Sequence, residues 1–153
     1  QYVDTLETLA EIGREMSSIL DLDTLLTRIA SLTKRLIDYR TFGILLVDDE
    51  AGMVRMQYAV NYDDRIPTKS VKLGEGLVGH AALHRTPILV DDVSKDPRYI
   101  KVVEDVRSEL VVPVIAGGRV IAVIDLDSPS PGRFDDEDAA GMQLLAQVAS
   151  LSI

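Results

Sequence analysis

The stretch Leu73–Tyr99, LGEGLVGHAALHRTPILVDDVSKDPRY, decides how the rest of the chain is read. Gly74 and Gly76 bracket Glu75 and allow a tight backbone turn. Leu77, Val78, Ala81 and Ala82 then share one arc of a short helix, with His80 at its edge. Pro87 ends that element, Ile88–Val90 form an apolar strand, and Asp91 and Asp92 follow at once. Asp96-Pro97 has the spacing of an N-cap and a first helical position, so a short turn or helix is expected there. Small residues, polar loops and an apolar wall thus fall close together, as they do in a lid over a small-molecule pocket.

Outward from that stretch, the chain reads as helices flanking strand hairpins. Asp4–Leu20 is predicted helical, with Asp4 and Glu7 at capping-box spacing. Leu9, Ile12, Met16 and Ile19 recur at three, four and three residues, a seam of the coiled-coil kind. Asp21 is expected to break this helix and cap a second, whose broader stripe includes Leu22, Leu26, Ile29 and Ile37. Thr41–Val47 is apolar on both faces, which suits a central strand. Met53–Tyr62 alternates, with Val54, Met56, Tyr58, Val60 and Tyr62 on one face. Lys69–Leu73 is a short strand, and Ile100–Arg107 a charged helix or loop. Ser108–Ala116 and Arg119–Asp127 form a hairpin about Gly117-Gly118. Asp135 caps a closing helix, in which Gly141, Leu144, Val148 and Leu151 repeat the three, four, three spacing. Hairpin pairings dominate, so the class is α+β with antiparallel strands.

Composition removes several functions. At 153 residues, 46% of them hydrophobic and 27% charged, the chain is read as a single globular domain spanning 1–153. It has no cysteine, which removes disulfides, thiolate nucleophiles and Cys-based metal sites and leans towards a cytoplasmic location. A net charge of −9 opposes nucleic-acid phosphates and anionic lipid surfaces. No apolar run has the length of a membrane span. The chain begins at Gln1 and ends at Ile153 inside a helical pattern, and is read as a segment of a longer protein.

The ordered set LGEGLVGHAALHRTPILVDDVSKDPRY, SELVVPVIAGGRVIAVIDLDS and RFDDED resembles the GAF domain family of sensor modules. The first is similar to that family's G-x-G-x-x-G-x-A helix and following strand. The second resembles its central hairpin, with Ala122 where Gly is commoner, and the third the start of its closing helix. A PAS domain, the alternative fold, lacks both the LGEGLVGHA stretch and the long closing helix. The resemblance implies a six-stranded antiparallel sheet, with terminal helices on one face and loops and short helices covering a pocket on the other. It implies a non-catalytic regulatory domain that binds a small molecule or dimerises to control a linked effector, such as a histidine kinase, serine phosphatase, diguanylate cyclase or transcription activator. Without cysteine, covalent bilin attachment and the family's thiol-based methionine sulfoxide reduction are both excluded on this reading. The cyclic-nucleotide pattern is incomplete: Asp138 after Phe134 is followed by Ala139, and no Asn-Lys pair precedes them.

The candidate pocket residues are Ile44, Leu46, Tyr58, Val78, His80, Tyr99, Glu109, Val111 and Asp125. Asp125 interrupts an apolar run and shares a face with Val123, while Glu109 shares one with Val111 and Pro113; a carboxylate buried there requires a partner. Which sheet face holds the pocket stays open. His80 and His84 have i,i+4 metal-ligand spacing, but no third ligand accompanies them, and no metal is expected. Two alternatives stand beside the sensor reading: a structural spacer with a self-filled pocket, and a small enzyme using Asp91, Asp92 and His80. The seams Leu9, Ile12, Met16, Ile19 and Leu144, Val148, Leu151 are expected to pair in a homodimer.

Overall fold

The computed structural model describes residues 2–61, 70–101 and 105–151, with side chains from 5–14 and from 22 onward within those ranges. The order is α1 (Tyr2–Leu36), β1 (Thr41–Asp48), β2 (Met53–Val60), β3 (Ser70–Lys72), α2 (Gly76–His84), β4 (Ile88–Val90), β5 (Ser108–Ala116), β6 (Arg119–Ser128) and α3 (Asp136–Ser150). The strands form a six-stranded sheet in the order β3-β2-β1-β6-β5-β4. Every neighbouring pair is antiparallel, as the hairpin-rich sequence predicts. Gly117 and Gly118 both take positive φ, 58° and 75°, which closes the central hairpin without the penalty a side chain would incur.

Each face of the sheet carries its own core. On one, Phe42, Ile44, Leu110, Val112, Ile124 and Leu126 pack against Leu26 and Ile29 of α1 and Met142 and Ala146 of α3. On the other, Leu45, Val54, Val111 and Val123 pack under Leu77, Val78, Ala81 and Ala82 of α2. Asp135 begins α3 through a reciprocal capping box: Asp138 N–H donates to Asp135 Oδ1 at 2.8 Å, and Asp135 N–H to Asp138 Oδ2 at 3.0 Å.

Three expectations are corrected. The first two predicted helices are one, since Asp21 interrupts nothing; an interior Asp costs only about 0.7 kcal/mol of helix propensity. The short helix begins at Val93, three residues before the expected cap. Asp92 fills the capping role by accepting from Ser94 N–H at 3.1 Å. The apolar face of β2 is divided as well. Tyr58 pairs with Ile44 but Met56 with Leu45, which leaves Gln57 as a bulged residue. Val54 and Met56 therefore face α2, whereas Tyr58 and Val60 face the terminal helices. Tyr62 and Lys69 of the expected strands lie outside the described residues, as do the Met16 and Ile19 side chains.

Candidate functional site

The α2 face of the sheet gathers acidic groups at the β5–β6 end. Alternation along β6 puts Asp125 and Asp127 on that face, and the β5 register sets Glu109 opposite Asp127 and Val111 opposite Asp125. From β1, Thr41 stands opposite Asp127 and Gly43 opposite Asp125. Glu109, Asp125 and Asp127 are 3%, 0% and 4% exposed. One carboxylate oxygen from each lies within 4.8 Å of the other two. The Thr41 hydroxyl donates to Asp127 Oδ2 at 2.8 Å. Two unit charges that close repel by about 3.5 kcal/mol at an effective dielectric of ~20. Three such repulsions approach the ~5–15 kcal/mol that stabilises a whole domain. Such a cluster is therefore suited to sharing protons, to receiving a cationic group such as an ammonium, or to supplying oxygen ligands to a hard divalent cation.

A roof closes over this face. Val71, Glu75, Gly76, Leu77, Val78, Tyr99, Ile100 and Glu109 line a cavity of about 10 Å³, room for about one water. Glu109 is the acid of the cluster that reaches it. Ile100 lies against Gly76, where an added Cβ would sit 3.1 Å from its Cδ1. The arm that carries Tyr99 and Ile100 is held by a fork: Arg98 Nε and Nη2 donate to Asp96 Oδ1 and Oδ2 at 3.0 and 2.7 Å. This hydrogen bonding lowers the Asp96 pKa from its ordinary value against the opposing effect of burial. The close approach of α2 to β3 depends on Gly79, whose N–H donates to Glu75 O and whose carbonyl accepts from Gly74 N–H at 2.8 Å.

Of the expected pocket residues, Val78, Tyr99 and Glu109 line the cavity, and Val111 and Asp125 lie on the same face of the sheet. Ile44, Leu46 and Tyr58 belong to the opposite core. Both faces of β1 are apolar, so alternation alone gave that strand no direction. His80 is half-buried and is not among the cavity's lining residues; its ring packs 4.1 Å from that of His84. Burial, then His84 and Arg98, lower its pKa, opposed by Asp96. Asp92 is engaged as a cap, with Arg107 Nη2 3.4 Å away. Asp91 is exposed. Thr41 and Asp127 were missed, although Asp127 follows Asp125 by the two residues that keep a strand side chain on one face.

A family model described as "GAF domain" matches residues 19–153. The chain belongs to the GAF domain family. The free methionine-R-sulfoxide reductase of Escherichia coli is 28% identical to this GAF domain over 148 residues, covering 93% of this chain and 87% of that protein. The Saccharomyces cerevisiae protein of the same name is 30% identical over 92 residues, 60% of this chain and 51% of its own. An X-ray structure of the Neisseria meningitidis reductase in complex with its substrate superposes with a TM-score of 0.74 at 28% identity, over 80% of this chain and 72% of that one.

These relatives overturn the expectation of a non-catalytic sensory domain in signal transduction, because free methionine-R-sulfoxide reductases, which are enzymes, are among the proteins this GAF domain is similar to. The small-enzyme alternative is the one they favour. The domain has no cysteine, so any thiol in such a reaction comes from outside these 153 residues. No helix among the described residues is long and apolar enough to cross a membrane.

Proposed function

We propose that this GAF domain, read as one domain over residues 1–153, is a small enzyme acting on a free sulfoxide amino acid of the methionine-R-sulfoxide class. The observation that carries the reading is the cluster of three buried carboxyl groups beneath the α2 roof. Glu109, the member that reaches the cavity, donates a proton to the sulfoxide oxygen, and the other two acids stabilise cationic charge next to it. Protonation draws electrons from sulfur and opens it to attack. The electrons come from a dissolved dithiol: one thiolate bonds to sulfur, the oxygen leaves as water, and the second thiol displaces the thioether and closes a disulfide. A supply of reduced thiol suits the cytoplasm. The cavity holds about one water, so the Tyr99–Ile100 arm must move for a substrate to enter.

The test incubates the protein with L-methionine-R-sulfoxide and dithiothreitol and measures methionine by chromatography, with titration calorimetry on the same sample. Methionine should form faster than in the thiol-only blank, and Glu109→Gln should slow it by about 10²-fold or more. Heat of binding without turnover would leave the pocket and remove the catalysis. Neither heat nor turnover would remove both.

A further inference from the structure

Thr41 is fully buried at the start of β1, and its hydroxyl is directed across the sheet. Its Oγ1 donates to Asp127 Oδ2 at 2.8 Å, between residues that the β1–β6 register places face to face. The backbone on either side is fixed independently, since Arg40 N–H donates to Asp127 O at 2.8 Å. The hydroxyl is thus not needed to hold the strands in register. Two positions further along β1, Gly43 presents no side chain to Asp125. The strand therefore supplies a donor to one acid and only backbone to the other. A hydroxyl that donates to a carboxylate favours its ionised form and fixes its plane.

We propose that Thr41 is a positioning residue of the acid cluster, orienting the Asp127 carboxylate and holding it ionised so that the cluster's shared proton is favoured on the Glu109 side, next to the cavity. The consequence for catalysis rests on the function proposed above; the hydrogen bond's effect on Asp127 does not. Glu109 from β5 and Asp125 from β6 itself share the cluster with Asp127, and Tyr99 from the arm and Glu75 at the start of α2 line the cavity that Glu109 reaches.

The test titrates ligand-free protein carrying ¹³C at its Asp and Glu carboxyl carbons. The midpoint of Asp127 is compared in the parent, Thr41→Val and Thr41→Ser. Thr41→Val should raise the midpoint by about one pH unit, and Thr41→Ser should return it. Amide spectra report whether each variant keeps the fold, and Thr41→Ala reads the same quantity if Val does not fit. An unchanged Asp127 midpoint in a folded Val or Ala variant overturns the proposal. So does unfolding of both while Ser stays folded, because the hydroxyl would then be structural. No substrate is present, so a shifted midpoint in a protein that turns over no sulfoxide retains Thr41's role and removes only the proposed reaction. Where turnover is present, the acidic limb of its pH profile should move with the midpoint.

Discussion

Substituting Gly79 by alanine measures how tightly the roof is fastened to the sheet. An added Cβ there would lie 2.3 Å from the Lys72 carbonyl oxygen, where ordinary contact begins near 3.4 Å, so α2 or β3 must give by about 1 Å. The obstacle is backbone and cannot rotate aside. Overpacking of this kind costs ~1–3 kcal/mol, and the upper part of that range applies to a backbone clash. Alanine recovers ~1 kcal/mol of helix propensity over glycine. The net destabilisation is then about 1–2 kcal/mol. At ~2–4 °C per kcal/mol for a chain of this size, thermal unfolding followed by circular dichroism should show a Tm lowered by about 2–8 °C. Gly141 in α3 is the control: an added Cβ meets nothing within 4 Å, so Gly141→Ala should hold or raise the Tm. If Gly79→Ala behaved like Gly141→Ala, the close packing of α2 on β3 would be refuted. The roof's closure over Glu109 would then have another origin.

Two further outcomes are expected. The Asp96 carboxyl is held below its ordinary pKa of 3.8 chiefly by its hydrogen bond from Arg98, so the fork contributes fully above that pH and is lost as pH falls through the lowered value. The Arg98 amide also donates to Asp96 Oδ1, at 2.9 Å; its hydrogen exchange, corrected for its intrinsic rate, should lose protection over that window in the parent and already be unprotected in Asp96→Ala, and protection independent of both would reject the clamp. For assembly, Leu6, Leu9 and Ile12 are exposed on α1, as are Leu144 and Val148 on α3 and Leu151 at its C-cap, with Leu9 59% and Val148 64% exposed. We propose that these seams pair in a homodimer: sedimentation equilibrium should give a two-chain mass for the parent and a one-chain mass for Leu9→Glu and Val148→Glu, whereas a one-chain parent at high micromolar concentration ends that reading.

The sheet was legible because its signals are local. Gly117-Gly118 marks the central hairpin, and the unbroken apolar runs of β5 and β6 mark strands covered on both faces. Asp135 with Asp138 marks the start of α3. Glu109 and Asp125 stood out as acids within apolar strands, and both belong to the cluster. What sequence could not provide was the direction of each face. Ile44, Leu46 and Tyr58 were assigned to the pocket because an apolar side chain looks the same on either side of a central strand. Thr41 was overlooked because its partner is 86 residues away and the pairing exists only through the β1–β6 register. The error about catalysis had a different source. The absence of cysteine was taken to exclude thiol-based methionine sulfoxide reduction, and the thiol-free enzyme alternative was placed on Asp91, Asp92 and His80, whereas the similarity to the reductases runs over 93% of the chain and the buried carboxyl cluster lies on β5 and β6.

The bulge at Gln57 gives β2 two allegiances. Its first half lies beneath the roof and its second half beneath the terminal helices, so a single continuous strand crosses from one core to the other. The two cores are therefore mechanically in series: pulling β2 out of either one unravels its pairing with β1, to which both are attached. Deleting Gln57 would leave Met56 opposite Leu45 and Tyr58 opposite Ile44 in unbroken alternation, so each half of β2 would keep its core, whereas inserting one further residue there would turn Tyr58 and Val60 through the sheet.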